Sequence, residues 1–223
     1  MCNEYARMIT LNKAIDEMRR KQLPPVTWAD GRIPNDMDGK VSVRIRDSAP
    51  IFRLREGTLV GAMTTWAWKG SHGKPVFNFV SEKRDFAHSD RVLILATGFY
   101  EYTTPGAGKI KLKDRHLFSL SNDPWFWIAG IVKEDCFTML TVAPGPDVAS
   151  YHDRQIVTLP PGEGLDWLTL GRPQLNILST PTAGTFHVTT LRKNGVDLRG
   201  GSAKLNSSIS GFLPDGDQYC CEQ

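Results

Sequence analysis

Val92-Leu93-Ile94-Leu95-Ala96 is an unbroken apolar run, and Gly98-Phe99-Tyr100-Glu101-Tyr102 follows it after a single threonine. A run this short, with no polar residue on either face, reads as a strand buried on both sides. The second segment places one carboxylate among aromatic side chains at the end of that strand. Burial beside rings disfavours the ionised form, so Glu101 is a candidate for a raised pKa and for acid/base work. An ordinary exposed glutamate is the plainer reading of the same residues.

Strand signals continue on both sides of this stretch. Downstream, Lys109 to Leu120, Trp125 to Val132 and Phe137 to Ala143 come in quick succession, with Gln155 to Leu159 and Thr185 to Leu191 after them. Upstream, Lys40 to Arg46 alternates strictly as K-V-S-V-R-I-R, the pattern of a half-buried strand, and residues 51–55 and 58–64 read as two more. Helices are few. Thr10 is a plausible N-cap for an amphipathic helix over 10–21, carried by Leu11, Ala14, Ile15 and Met18. Ser81 to Asp90 could form a short helix, and Pro160-Pro161-Gly162-Glu163 leads into another at Leu165-Trp167-Leu168-Leu170. The fold class is therefore α+β and mostly β, with a few peripheral helices. Residues 1–200 read as one domain, and residues 201–223, rich in Gly, Ser and Asp, as a polar tail.

The bulk numbers exclude more than they assign. A net charge of +3, from 27 basic and 24 acidic side chains, does not announce a nucleic-acid binder, so a local patch must carry that case. The four cysteines (Cys2, Cys136, Cys220 and Cys221) make no CxxC motif, so neither a zinc site nor any other cofactor is expected. No apolar run approaches the roughly 20 residues of a membrane span. Glu4, Arg7, Asp16, Glu17, Arg19 and Arg20 break up any secretory signal. The expected setting is reducing and cytoplasmic, nucleoid-associated in a bacterium, and the expected state is monomeric.

Cys2 carries the sharpest chemical possibility. With Met1 removed, it offers an α-amine of reference pKa near 8, against about 10.4 for lysine, on the carbon next to a thiol-bearing one. Such an aminothiol forms a Schiff base with an aldehyde and then closes to a five-membered thiazolidine. A cysteine at position 2 by accident is the competing reading, and with Met1 in place only thiol chemistry is possible. Tyr151-His152-Asp153-Arg154 sets an imidazole beside both charge signs in a loop, where a proton shuttle or a surface turn would look alike. Phe77-Asn78-Phe79 places an amide among rings. For nucleic acid, Lys109, Lys111, Lys113 and Arg115 would share one strand face, Arg44, Arg46, Arg53 and Arg55 another, and Trp66 and Trp68 could stack on bases. Solvated strand faces and core packing explain these residues equally well.

Taken together, the motifs resemble the SOS-response-associated peptidase (SRAP) family. Met1-Cys2 resembles its processed start, and Phe77-Asn78 with Glu82 its N-A-R-x-E-T segment. Thr97 to Tyr102 resembles its G-[FW]-[FY]-E-W motif, and Tyr151 to Arg154 its I-H-D-R-M-P motif. Departures mark a divergent member. The Arg that follows the family's Asn is missing, and Gln155-Ile156 replaces Met-Pro. The resemblance implies a barrel-like mixed sheet that binds single-stranded DNA containing abasic sites and crosslinks to them through Cys2. It further implies that Asn78 positions the N-terminus and the opened sugar, that Glu101 moves protons, and that His152 assists at the ring oxygen. These residues would also cleave the Met1–Cys2 bond. Arg84 and Arg154 would touch phosphates, Lys109, Lys111 and Lys113 would line the DNA, and Trp66 and Trp68 would form the stacking wall. Two other functions fit the same residues: a thiol peptidase or amidohydrolase on a non-DNA substrate, and a non-catalytic DNA-binding module.

Overall fold

The computed structural model describes residues 2–31, 33–35, 37–106 and 108–198, so the expected tail over 201–223 lies outside the described residues. The chain runs β1 (Glu4–Arg7), α1 (Leu11–Arg20), β2 (Val26–Trp28), β3 (Lys40–Arg44), β4 (Ser48–Arg55) and β5 (Thr58–Trp66). Next come β6 (Trp68–Lys69), β7 (Pro75–Val76), β8 (Asn78–Val80), β9 (Asp90–Ala96), β10 (Gly98–Thr103) and β11 (Asp114–Leu120). β12 (Phe126–Lys133), β13 (Cys136–Val142), α2 (Pro146–Ala149), β14 (Gln155–Ile156) and β15 (Thr158–Leu159) follow. The described part closes with α3 (Gly164–Thr169), α4 (Gln174–Ile177), β16 (Phe186–Lys193) and β17 (Val196–Asp197).

The apolar run of β9 lies inside a mixed sheet of order β14-β13-β12-β9-β4-β5-β2, with Ile94 opposite Ile128 on one side and Ile51 on the other. A parallel pairing of β5 with β13 (Phe137 opposite Trp66) brings this sheet back on itself. The core is thus barrel-like, as the α+β, mostly β reading expects. A second sheet has the order β17-β16-β11-β10-β1-β3. Thr97 is where the chain passes from one sheet to the other. Its amide donates to Ala6 O at 2.8 Å and its hydroxyl accepts from Met8 N at 2.9 Å, which ties the crossing to β1. Gly98 must be small there: a Cβ would sit 2.9 Å from Phe118 O and 2.7 Å from Leu117 Cδ1.

Two apolar clusters fill the space. One joins the buried face of α1 (Leu11, Ala14, Met18) to Trp125, Trp127 and Trp167. The other packs Cys2 and Tyr5 against Trp66, Phe99, Phe118 and Phe137. Thr10 caps α1 by accepting from Lys13 N at 3.3 Å, as the sequence expects.

Several elements differ from the sequence reading. Lys109 to Lys113 form no strand. β10 ends at Thr103, which pairs with Asp114, so the lysines have no neighbouring strand to extend against. No helix forms between Ser81 and Asp90, because Lys83 takes a left-handed φ of 60° and the segment turns instead. β3 stops at Arg44, since Arg46 has a φ of 76° in the turn to β4. Glu101 lies within β10 rather than at the end of β9, and β1 is an additional strand, set between β10 and the edge strand β3.

Candidate active site

β1 runs antiparallel to β10, with Tyr5 opposite Phe99 and Ala6 opposite Gly98. That register carries the residues just before β1 along β10 toward Glu101. Cys2 is buried at 1 % exposure, and its thiol donates to Glu4 O at 3.2 Å. Burial, followed by the charge of Glu101, pushes the Cys2 thiol well above the ordinary thiol range. It is a protonated thiol that needs a base at the moment of attack.

Glu101 supplies a candidate base. It is 2 % exposed, and burial, reinforced by Asp153, lifts its carboxyl to about 7. Its Oε1 accepts no hydrogen bond among the described residues. A group that is half protonated near neutral pH can accept a proton in one step and return it in the next. Asn78 opens β8, which pairs in parallel with β13 (Asn78 opposite Met139). Its Nδ2 donates to Cys2 O at 2.7 Å, while its Oδ1 is buried and unbonded among the described residues. Cys2, Asn78 and Glu101 are therefore brought together from three separate segments.

His152 follows α2 in a loop. Its Nδ1 accepts from Arg154 N at 3.0 Å and also lies 2.7 Å from an Asp153 carboxylate oxygen. One nitrogen cannot serve both contacts in one protonation state. Burial holds the imidazole below its ordinary pKa, and in the neutral tautomer that accepts from the Arg154 amide the ring proton sits on Nε2. The carboxylate, on an exposed side chain, is the partner whenever Nδ1 carries a proton. Edge-to-face contacts of Tyr151 with His116 (4.7 Å) and Phe118 (5.1 Å) fasten this loop to β11, whose His116 stands opposite Glu101.

Arg154 is placed differently from its expected role as a phosphate contact. Its guanidinium grips both oxygens of Glu82 at 2.6 and 2.7 Å and donates to Thr141 O at 2.8 Å. Glu82 in turn accepts from Ala143 N at 3.0 Å, so this pair links the segment after Asn78 to the His152 loop. The tryptophans are a clearer correction. Trp66 is wholly buried, stacked on Phe137 with its indole N–H given to Phe77 O at 2.9 Å, and Trp68 is buried against Phe79. Neither offers a face to a base. Arg84 is exposed, with its guanidinium 4.3 Å above the Phe79 ring. Lys109, Lys111 and Lys113 are exposed loop residues.

Lys113 joins Asn3, Glu4, Arg44, Ile45, Tyr102 and Arg192 around an open groove of about 550 Å³ beside the N-terminal strand. Glu4 is the residue that sequence reading missed. It is 2 % exposed and accepts from Ser42 Oγ at 2.5 Å, from Arg115 at 2.8 Å and from the Tyr102 hydroxyl, with Arg44 at 3.5 Å. Burial would raise its carboxyl, but the Ser42 and Tyr102 hydrogen bonds and Arg115 outweigh that and hold it below the usual range. No local signal marked it, because E-Y-A-R near a chain start reads as a polar terminus. Among the described residues no three His, Cys, Asp or Glu side chains gather as a metal site, and no helix is long and apolar enough to cross a membrane.

Residues 53–194 match the family described as SOS response associated peptidase (SRAP). The chain belongs to the SRAP family. Three solved structures share its fold. One is a Bacteroides thetaiotaomicron protein of 16 % identity, covering 86 % of this chain and 92 % of that one with a TM-score of 0.64. Another is a Bordetella bronchiseptica protein of 19 % identity, covering 86 % and 100 % with a TM-score of 0.62. The third, described as phage-related and also from B. bronchiseptica, has 18 % identity over 86 % and 95 %, with a TM-score of 0.62. No curated protein matches the sequence. SRAP membership assigns the chain a DNA-damage-associated function of the SRAP kind.

Proposed function

We propose that this SRAP protein binds single-stranded DNA and covalently traps abasic-site aldehydes through Cys2, after removing its own Met1. The observation that carries the reading is the convergence on Cys2 of the Asn78 amide, 2.7 Å from its carbonyl oxygen, and a Glu101 carboxyl lifted to about 7. An aminothiol trap requires these functions: a held backbone and a group that both accepts and donates protons.

Self-removal comes first. The Cys2 thiol attacks the Met1 carbonyl while Glu101 takes its proton. Glu101 hands that proton to the departing nitrogen as the acyl group passes to sulfur and the amine is released, and water then hydrolyses the thioester. The freed amine adds to C1′ of the opened abasic sugar. Glu101 takes the protons that nitrogen sheds and passes them to the carbinolamine oxygen, water leaves, and an imine forms. The thiol sulfur then adds to the imine carbon and its proton passes to nitrogen, which closes the thiazolidine with a net loss of one water. His152, with its proton on Nε2, donates to the sugar ring oxygen and favours the open aldehyde. Lys113, Arg44 and Arg192 in the groove, and the exposed Arg84, attract the phosphates.

Incubation with an oligonucleotide carrying one abasic site is the test. A heat-stable adduct with wild-type protein, absent with Cys2→Ala, is the expected result. Equal adduct with Cys2→Ala overturns the reading. Turnover of peptides in trans without any adduct assigns the site to a non-DNA peptidase, and salt-sensitive binding with Met1 retained assigns the chain to DNA binding without chemistry.

A further inference from the structure

A charged side chain buried in a groove that ought to attract phosphate is unexpected. Glu4 sits among Arg44, Arg115, Lys113 and Arg192, and its negative charge weakens the field that would draw in a polyanion. Nor does stability account for it: a buried ion pair is often no more stabilising than well-packed apolar side chains of the same volume.

The position of Glu4 suggests another use. Its backbone carbonyl accepts the Cys2 thiol at 3.2 Å, and its side chain is held by Ser42 at 2.5 Å, by Arg115 at 2.8 Å and by the Tyr102 hydroxyl. Tyr102 is on β10, next to Glu101, and Arg115 is on β11, with its guanidinium 3.9 Å above the Tyr100 ring. Ser42 comes from β3, on the opposite side of β1. The carboxylate therefore fastens the start of β1 to both of its neighbours, and Asn78 holds the same short segment at the Cys2 carbonyl, two residues before the thiol's acceptor. β1 has only four residues, and its pairing with β3 slips between Tyr5 and Arg7, so backbone bonds alone fix its start weakly.

We propose that Glu4 is a positioning residue for Cys2, one that sets the thiol and the adjoining amine against Glu101 while lowering the affinity of the groove for DNA. This rests on the abasic-site reading above. It has a signature that a merely structural role lacks: chemistry and binding should move in opposite directions.

The experiment measures the adduct-forming rate at saturating abasic-site DNA, together with the Kd for undamaged single strands, in wild type, Glu4→Gln and Tyr102→Phe. Glu4→Gln should slow adduct formation by about tenfold to a hundredfold, the range for small misplacements of reacting groups, yet tighten the Kd several-fold. Tyr102→Phe keeps the carboxylate charge, so it should slow the chemistry less and leave the Kd near wild type. It also serves as the second variant if Glu4→Gln does not fold. A wild-type protein that forms no adduct removes the functional reading, and this proposal with it. Adduct formation in wild type with an unchanged rate in both variants overturns the Glu4 assignment alone. So does a parallel loss of rate and affinity that follows loss of thermal stability.

Discussion

At the scale of single residues, Glu101 makes the most measurable commitment. Its carboxyl is lifted to about 7 by burial, whereas an unfolded glutamate titrates near 4.3. The folded state therefore binds more protons than the unfolded state between those values, and stability falls as pH rises through that window. Glu101→Gln removes this term and should be more stable than wild type above pH 7 by up to about 3 kcal/mol, with little difference below pH 4. Denaturant titrations across pH check this. The same variant should form adduct about a hundredfold more slowly or worse, the ordinary worth of a general acid/base. Its pH profile should also lack the limb near neutrality. Glu101 and Cys2 were both legible in the sequence, because a carboxylate among rings and a second-position cysteine are local patterns. Glu4 was not legible: its burial depends on Ser42, Tyr102 and Arg115, which lie far along the chain.

At the scale of elements, the alternation of Lys109, Lys111 and Lys113 suggested a strand face, but strand formation depends on a partner, and β10 ends too early to provide one. The tryptophans failed for a related reason. Trp66 and Trp68 could have stacked on bases had they been exposed, yet the parallel pairing of β5 with β13 folds Trp66 onto Phe137. Trp66→Ala should accordingly destabilise the fold by about 3–5 kcal/mol, the usual loss for a large buried ring. Calorimetry checks this, and at temperatures where the variant is folded its affinity for single strands should match wild type. The Glu82–Arg154 bridge joins the β8 segment to the His152 loop, and its loss should act through the imidazole. In wild type, ¹⁵N shifts should show the His152 proton on Nε2. Glu82→Gln should mix the tautomers and slow adduct formation by about tenfold. A wild-type ring protonated on Nδ1 contradicts this placement.

At the scale of the molecule, the strands that build the barrel-like sheet and the short supply of helices were readable from period and run length. The sheet order was not. It depends on Thr97 passing the chain between sheets and on β1 inserting between β10 and β3. That insertion assembles the site, since it brings the chain start to Glu101 and Asn78 at once. A net charge of +3 spread over the whole surface gives little attraction by itself, so DNA affinity should reside in the groove beside β1. Lys113→Ala should weaken single-strand binding for all sequences alike and reduce the salt slope by about one. Lys133→Ala, at an exposed position outside the groove lining, is the control and should leave the slope alone.

The central claim is that Cys2, with its amine freed, ends in a ring with the abasic-site carbon. Intact-mass spectrometry of the protein before and after incubation with an abasic-site oligonucleotide tests it directly. The account predicts a starting mass lacking Met1 and a product equal to that protein plus the oligonucleotide less one water, with no such product from Cys2→Ala. A protein that keeps Met1 and gains no mass, or a Cys2→Ala variant that forms the same product, contradicts it.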